Sequence, residues 1–92
     1  MTREVYLEIT YRHGEPVAGY LYLPRREGDR AVRSRKTDHG LVVDFAEDGR
    51  PIGIEITSPS AVSPAAVNSL LAELHQETLT QEELAPLLAG AS

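Results

Sequence analysis

Residues 40–57 read Gly-Leu-Val-Val-Asp-Phe-Ala-Glu-Asp-Gly-Arg-Pro-Ile-Gly-Ile-Glu-Ile-Thr. Two apolar, β-branched runs flank Glu47-Asp48-Gly49-Arg50, and the Asp-Gly pair supplies the positive φ that a tight hairpin turn needs. With a period of two, Leu41, Val43 and Phe45 share one face with Ile52, Ile54 and Ile56, and Asp44 and Glu55 take the other. A strand hairpin with one buried face is therefore the frame on which the rest of the chain is read.

Toward the N-terminus, residues 3–11 alternate Val5, Leu7, Ile9 and Tyr11 against Glu4, Tyr6, Glu8 and Thr10, the mark of a half-buried strand. Arg12-His13-Gly14-Glu15-Pro16 is turn chemistry, and residues 17–23, Val-Ala-Gly-Tyr-Leu-Tyr-Leu, form a second strand. Pro24 closes it. A charged loop over 25–30 then leads to Ala-Val-Arg-Ser-Arg-Lys-Thr at 31–37, a polar edge strand whose cations discourage pairing with another molecule.

Toward the C-terminus the chemistry changes at residues 58–64. Ser63 as N-cap and Pro64 at the first helical position start a helix, expected over 63–76. Its Val67, Leu70, Leu71 and Leu74 fall at i, i+3, i+4 and i+7 and cover one sheet face. Thr80 and Glu83 make a capping box, with Leu79 and Leu84 as its staple, so a second short helix is expected near Gln81. Pro86 limits it, because an interior proline removes a backbone donor and crowds the preceding turn. The chain thus reads as α+β: a four- to five-stranded antiparallel meander over 1–57, then a linker and helical segment over 58–92, all in one domain.

Composition bounds the rest. At 92 residues there is room for one core, and 41% hydrophobic with 25% charged residues is ordinary for a folded domain. The absence of cysteine excludes disulfides and thiolate chemistry. With no apolar leader and no membrane-length run, a cytoplasmic location is the expectation. The net charge of −5 is split: residues 1–37 hold eight Lys/Arg and five Asp/Glu, and residues 38–92 hold one Arg and nine acids. Such a polarity bears on partners and self-association.

The stretch from Gly40 to Ile56 resembles the signature hairpin of the domain-of-unknown-function 2283 family, small bacterial proteins. Tyr11 to Leu23, with Gly19-Tyr20-Leu21-Tyr22-Leu23, resembles a looser version of that family's first hairpin. The resemblance spans residues 5–57 and implies a fold rather than a reaction. Members encoded beside small toxin-like proteins imply an antitoxin-like role.

No catalytic, cofactor or metal motif stands out. Asp44, Glu47, Asp48 and Glu55 invite a reading as paired carboxylates or a cation site, but alternation alone demands polar residues there, so a solvated outer face and a turn come first. His13, His39 and His75 fall in a turn, a loop and a helix, without a metal-ligand spacing such as i, i+4. Arg25, Arg26, Arg30, Arg33, Arg35 and Lys36 are the one concentrated charge feature. They are candidates for a partner surface, while the sequence pI of about 5.1 argues against nucleic acid. Tyr20 and Tyr22 read as core residues and Tyr6 as an interface residue. The small core, the charge split and the leucines Leu79, Leu84, Leu87 and Leu88 lead to an expected homodimer, with Leu84, Leu87 and Leu88 among the contacts. The functional expectation is a binding module, with a small protein such as a toxin as partner. The alternative is a ligand-binding domain or enzyme using Asp44, Glu55 and His39.

Overall fold

The structure, a computed structural model, describes residues 5–90; for His39 and residues 88–90 it describes the backbone only. Five strands form one antiparallel sheet: β1 Tyr6–Arg12, β2 Glu15–Tyr22, β3 Arg33–Lys36, β4 Leu41–Phe45 and β5 Pro51–Ile56. Two helices follow, α1 Pro64–Glu73 and α2 Ala85–Gly90. The α+β reading with five antiparallel strands is borne out.

The order across the sheet is β1-β2-β5-β4-β3, which refines the expected meander. β3, β4 and β5 run consecutively, but the chain crosses from β2 to the far edge first, so β5 returns to lie beside β2 in a Greek-key arrangement. The side chains explain the order. Every residue of Arg33–Lys36 is exposed, which suits an edge. Ile52, Ile54 and Ile56 are almost wholly buried, which suits a strand with neighbours on both sides.

The β1–β2 turn is tighter than expected. Arg12 pairs with Glu15, and His13 (φ 53°) and Gly14 (φ 80°) are both left-handed, the geometry of a two-residue type I′ turn. Pro16 therefore lies inside β2, opposite Tyr11. It is tolerated because β5 pairs with β2 only over Gly19–Tyr22, so the proline deprives no second neighbour of a donor.

The core lies between the sheet and the C-terminal segment. Leu21, Leu23, Leu41, Val43, Ile54 and Ile56 pack with Val62, Val67, Leu70, Leu71, Leu79, Leu84 and Leu87. Each such side chain, fully buried, contributes about 1.5–3 kcal/mol of hydrophobic stabilisation. Ser63 caps α1 as expected, its Oγ accepting from the Ala66 N–H at 3.1 Å.

The helix ends at Glu73, earlier than the expected Gln76. Gln76 N–H donates to the Leu71 carbonyl and His75 N–H to that of Ala72, with His75 left-handed at φ 58°. This is a Schellman stop, so His75 stands beyond the helix rather than in it. Asn68 then holds the return: its Nδ2 donates to the Leu79 carbonyl at 2.9 Å and its Oδ1 accepts from the Leu79 N–H at 2.8 Å. The Thr80–Glu83 capping box forms in both directions, yet the helix proper begins only at Ala85. Pro86 has no N–H to offer the Glu82 carbonyl, which accepts instead from Ala85. Residues 81–84 are consequently a turn.

Candidate functional site

The helical layer covers one face of the sheet, and the other face carries a polar and aromatic row. Its composition follows from register. Tyr6 pairs with Tyr22, Tyr22 with Gly53, Gly53 with Asp44, and Asp44 with Ser34, so one residue from each strand lies on a line across the sheet. Leu21 of β2 and Leu23, the residue just after the strand, are buried on the core side. Tyr20 and Tyr22 must then point to the open face, not into the core as the sequence reading had them.

Tyr20 crosses this row. It sits opposite Glu55 and diagonally from Gly53, within reach for a long side chain. A Cβ at Gly53 would approach the Tyr20 phenol closer than 3.0 Å, so the glycine provides the space in which the ring lies. The Tyr20 hydroxyl donates to Asp44 Oδ2 at 2.8 Å, and Ser34 Oγ donates to Asp44 Oδ1 at 2.7 Å. Asp44 is 7% exposed: a carboxylate sunk into the uncovered face, with both oxygens satisfied. The solvated position expected for it is corrected, because the diagonal tyrosine roofs it.

Arg25 closes the arrangement from the β2–β3 loop. Its Nε donates to the Ile52 carbonyl at 3.1 Å and its Nη2 to Tyr20 Oη at 3.0 Å. The guanidinium lies 5.4 Å from the Tyr22 ring centroid and 5.9 Å from that of Tyr20, within cation–π range. Tyr22 is stacked on Tyr6 at 4.4 Å with the rings 15° apart. Tyr6, 57% exposed, is the outer end of a chain of contacts running Ser34, Asp44, Tyr20, Arg25, Tyr22, Tyr6.

Electrostatics follow the geometry. Burial, then the hydrogen bond to Asp44 and its charge, push the Tyr20 phenol up to about 12. Partial desolvation and the neighbouring Tyr22 raise Tyr6 as well. Neither group exchanges protons near neutral pH. Beside Tyr20 lies a shallow groove of about 320 Å³, bounded by Glu8, Thr10, Glu55 and Thr57.

The expected basic cluster divides. Arg25 belongs to the network and Lys36, opposite Val42, extends along the same face. Arg33 and Arg35 lie over the Phe45 ring, 5.3 and 5.7 Å from its centroid, on the other side of β3. Arg26 and Arg30 are exposed on the loop. That loop is tied down by a different cation: Arg50 Nη2 reaches Asp29 at 2.9 and 3.0 Å, and its Nε reaches Asp48 at 2.6 Å. The Arg26 backbone N–H and the Arg50 side chain hold the Asp29 carboxyl below its ordinary range, and Arg50 does the same for Asp48.

Leu84 and Leu87 are each 1% exposed within the chain's own core. They are therefore not the free stripe expected of partner contacts, and the Leu88 side chain lies outside those described. Asp44 and Glu55 do share a face, but Asp44 is committed to Tyr20 and Ser34 while Glu55 is exposed. The side chain of His39 also lies outside those described. Among the described residues no cluster of His, Asp and Glu is placed to hold a metal ion, and no helix is long and apolar enough to cross a membrane. The sequence reading missed Ser34, Gly53 and the place of Tyr20 on the open face, where it covers Asp44; the parity of Tyr20 and Tyr22 against Leu21 and Leu23 was the available signal.

Fold and face together define a small α+β protein with one covered sheet face and one open, aromatic and charge-bearing face. Residues 18–59 match the model of the family described as "Protein of unknown function (DUF2283)". The match bears out the resemblance over that segment: it carries the domain-of-unknown-function 2283 signature and contains Tyr20, Tyr22, Arg25, Ser34, Asp44 and Gly53, while β1 lies outside it. No curated protein and no solved structure matches the chain.

Proposed function

We propose that this chain is a non-enzymatic protein-binding module that engages its partner through the open sheet face, centred on Tyr6, Tyr22 and Arg25. One observation carries the reading: an exposed tyrosine stacked on a second, with an arginine over the latter's ring, the arginine itself held by hydrogen bonds to the Ile52 carbonyl and to the hydroxyl of Tyr20, which in turn donates to the buried Asp44. Tyr and Arg are enriched among the residues that dominate binding energy, and rings and guanidinium already held in place lose little freedom on association. The antitoxin-like role implied by the family resemblance, exercised in the cytoplasm on another small protein, is the specific form of this proposal.

The alternative, a ligand-binding domain or enzyme built on Asp44 and Glu55, draws less support. Both Asp44 oxygens are committed to hydrogen bonds from Tyr20 and Ser34, and Tyr20 holds its proton to about 12, so the phenol is not poised for acid–base work near neutrality.

The test is size-exclusion chromatography with light scattering, on the chain alone and mixed with the product of the adjacent gene. A mixed complex that Tyr6→Ala with Arg25→Ala abolishes, and that Arg33→Ala with Arg35→Ala leaves intact, supports the proposal. Absence of a complex, or one indifferent to the first pair, counts against it.

A further inference from the structure

The sheet has two edges, and they are unlike. β3 is four residues long, and three of them, Arg33, Arg35 and Lys36, are cationic and exposed, the usual protection against pairing with another sheet. β1 is seven residues long, Tyr-Leu-Glu-Ile-Thr-Tyr-Arg, with no lysine and no proline. Leu7 and Ile9 are half-buried although they face the core side, and apolar surface is exposed at both ends of the β1–β2 hairpin: Tyr6 at one, Tyr11 (50%) and Val17 (45%) at the other. Among the described residues, one edge is guarded by cations, while the other is longer, pairs with no further strand and is flanked by exposed apolar surface.

We infer that β1 pairs antiparallel with β1 of a second copy, joining two five-stranded sheets into one of ten strands. Register supports this occupant. For the covered faces of both copies to lie on the same side, paired residue numbers must share parity. Centring on Glu8 sets two glutamates opposite each other, which is unfavourable. Centring on Thr10 leaves Tyr6 and Leu7 outside the ladder. Centring on Ile9 uses all seven residues, pairing Ile9 with Ile9, Glu8 with Thr10, Leu7 with Tyr11, and Tyr6 with Arg12, with no like charges opposed. The residues that are half-buried in one chain then complete their cover against the other. Two copies of the Tyr6–Tyr22–Arg25 patch come to lie on one continuous face. The inference goes beyond the binding proposal and does not depend on it.

Sedimentation equilibrium of the full chain, from micromolar to millimolar concentration, tests it. The expected species has twice the 10.1 kDa mass of the chain. Thr10→Glu, at an exposed position, places a glutamate opposite the partner's Glu8 on each side of the axis and should weaken dimerisation by about tenfold; Thr10→Lys opposes unlike charges there and should preserve it. A single 10.1 kDa species throughout would overturn the inference, as would a dimer that Thr10→Glu leaves intact or that Thr10→Lys disrupts equally. Amide exchange on the wild-type chain provides a reading independent of any variant. Protection within residues 6–12 should rise with concentration, and protection that does not change contradicts the pairing.

Discussion

Replacing Gly53 by alanine probes the open face with one methyl group. The Gly53 backbone is ordinary extended strand, where alanine alone would gain about 0.5–1 kcal/mol by restricting the unfolded chain. The space is the obstacle, because the new Cβ would lie closer than 3.0 Å to Tyr20 Oη, Cζ and Cε1. Tyr20 must swing out, giving up its bond to Asp44 and the one it accepts from Arg25. Losing a hydrogen bond to a buried charge costs about 1.5–3 kcal/mol, and the exposed Arg25 contact adds little. The net expectation is a loss of about 1–2 kcal/mol in urea unfolding, with an unchanged denaturant slope. The diagnostic comparison is the same substitution made in a Tyr20→Ala background. There the clash is absent, and Gly53→Ala should be neutral or stabilising by up to about 1 kcal/mol, for a coupling of roughly 2 kcal/mol. Equal effects in the two backgrounds would refute the claim that Gly53 makes room for the Tyr20–Asp44 bond.

Two further expectations concern pH and the helix end. Tyr20 holds its proton to about 12 when folded, against an ordinary value of 10.0, so its contribution is complete below pH 10 and is lost as pH rises toward 12. The loss amounts to roughly 1–2 kcal/mol after allowance for its partial exposure. Tyr20→Phe should flatten stability between those limits, and an alkaline denaturation profile identical to wild type would contradict the assignment. His75 adopts the left-handed conformation that ends α1; His75→Gly should raise stability by about 0.5–1 kcal/mol, since glycine occupies that region without a Cβ penalty, and a lowered melting temperature would count against it.

The hairpin over residues 40–57 was legible because alternation and Asp48-Gly49 point to the same answer, and the amphipathic stripe of α1 was legible for the same reason. The strand order was not, since hairpin signals are local while the β2–β5 pairing joins residues more than thirty positions apart. The stop at His75 escaped because a histidine stands where glycine would have signalled the turn. Asp44 looked like a surface residue because its burial comes from Tyr20, twenty-four residues away and diagonal to it through Gly53. The C-terminal leucines were seen as apolar, but sequence alone could not say whether they cover their own sheet or a partner's.

The binding face is tested most directly by mapping backbone amide chemical shifts of the chain on addition of the adjacent gene's product. The expected perturbations cluster on Tyr6, Tyr22, Arg25 and Lys36 and spare the outer surface of α1. A footprint confined to α1 and α2, or none at a concentration where the two proteins co-elute, would contradict the assignment of the open sheet face.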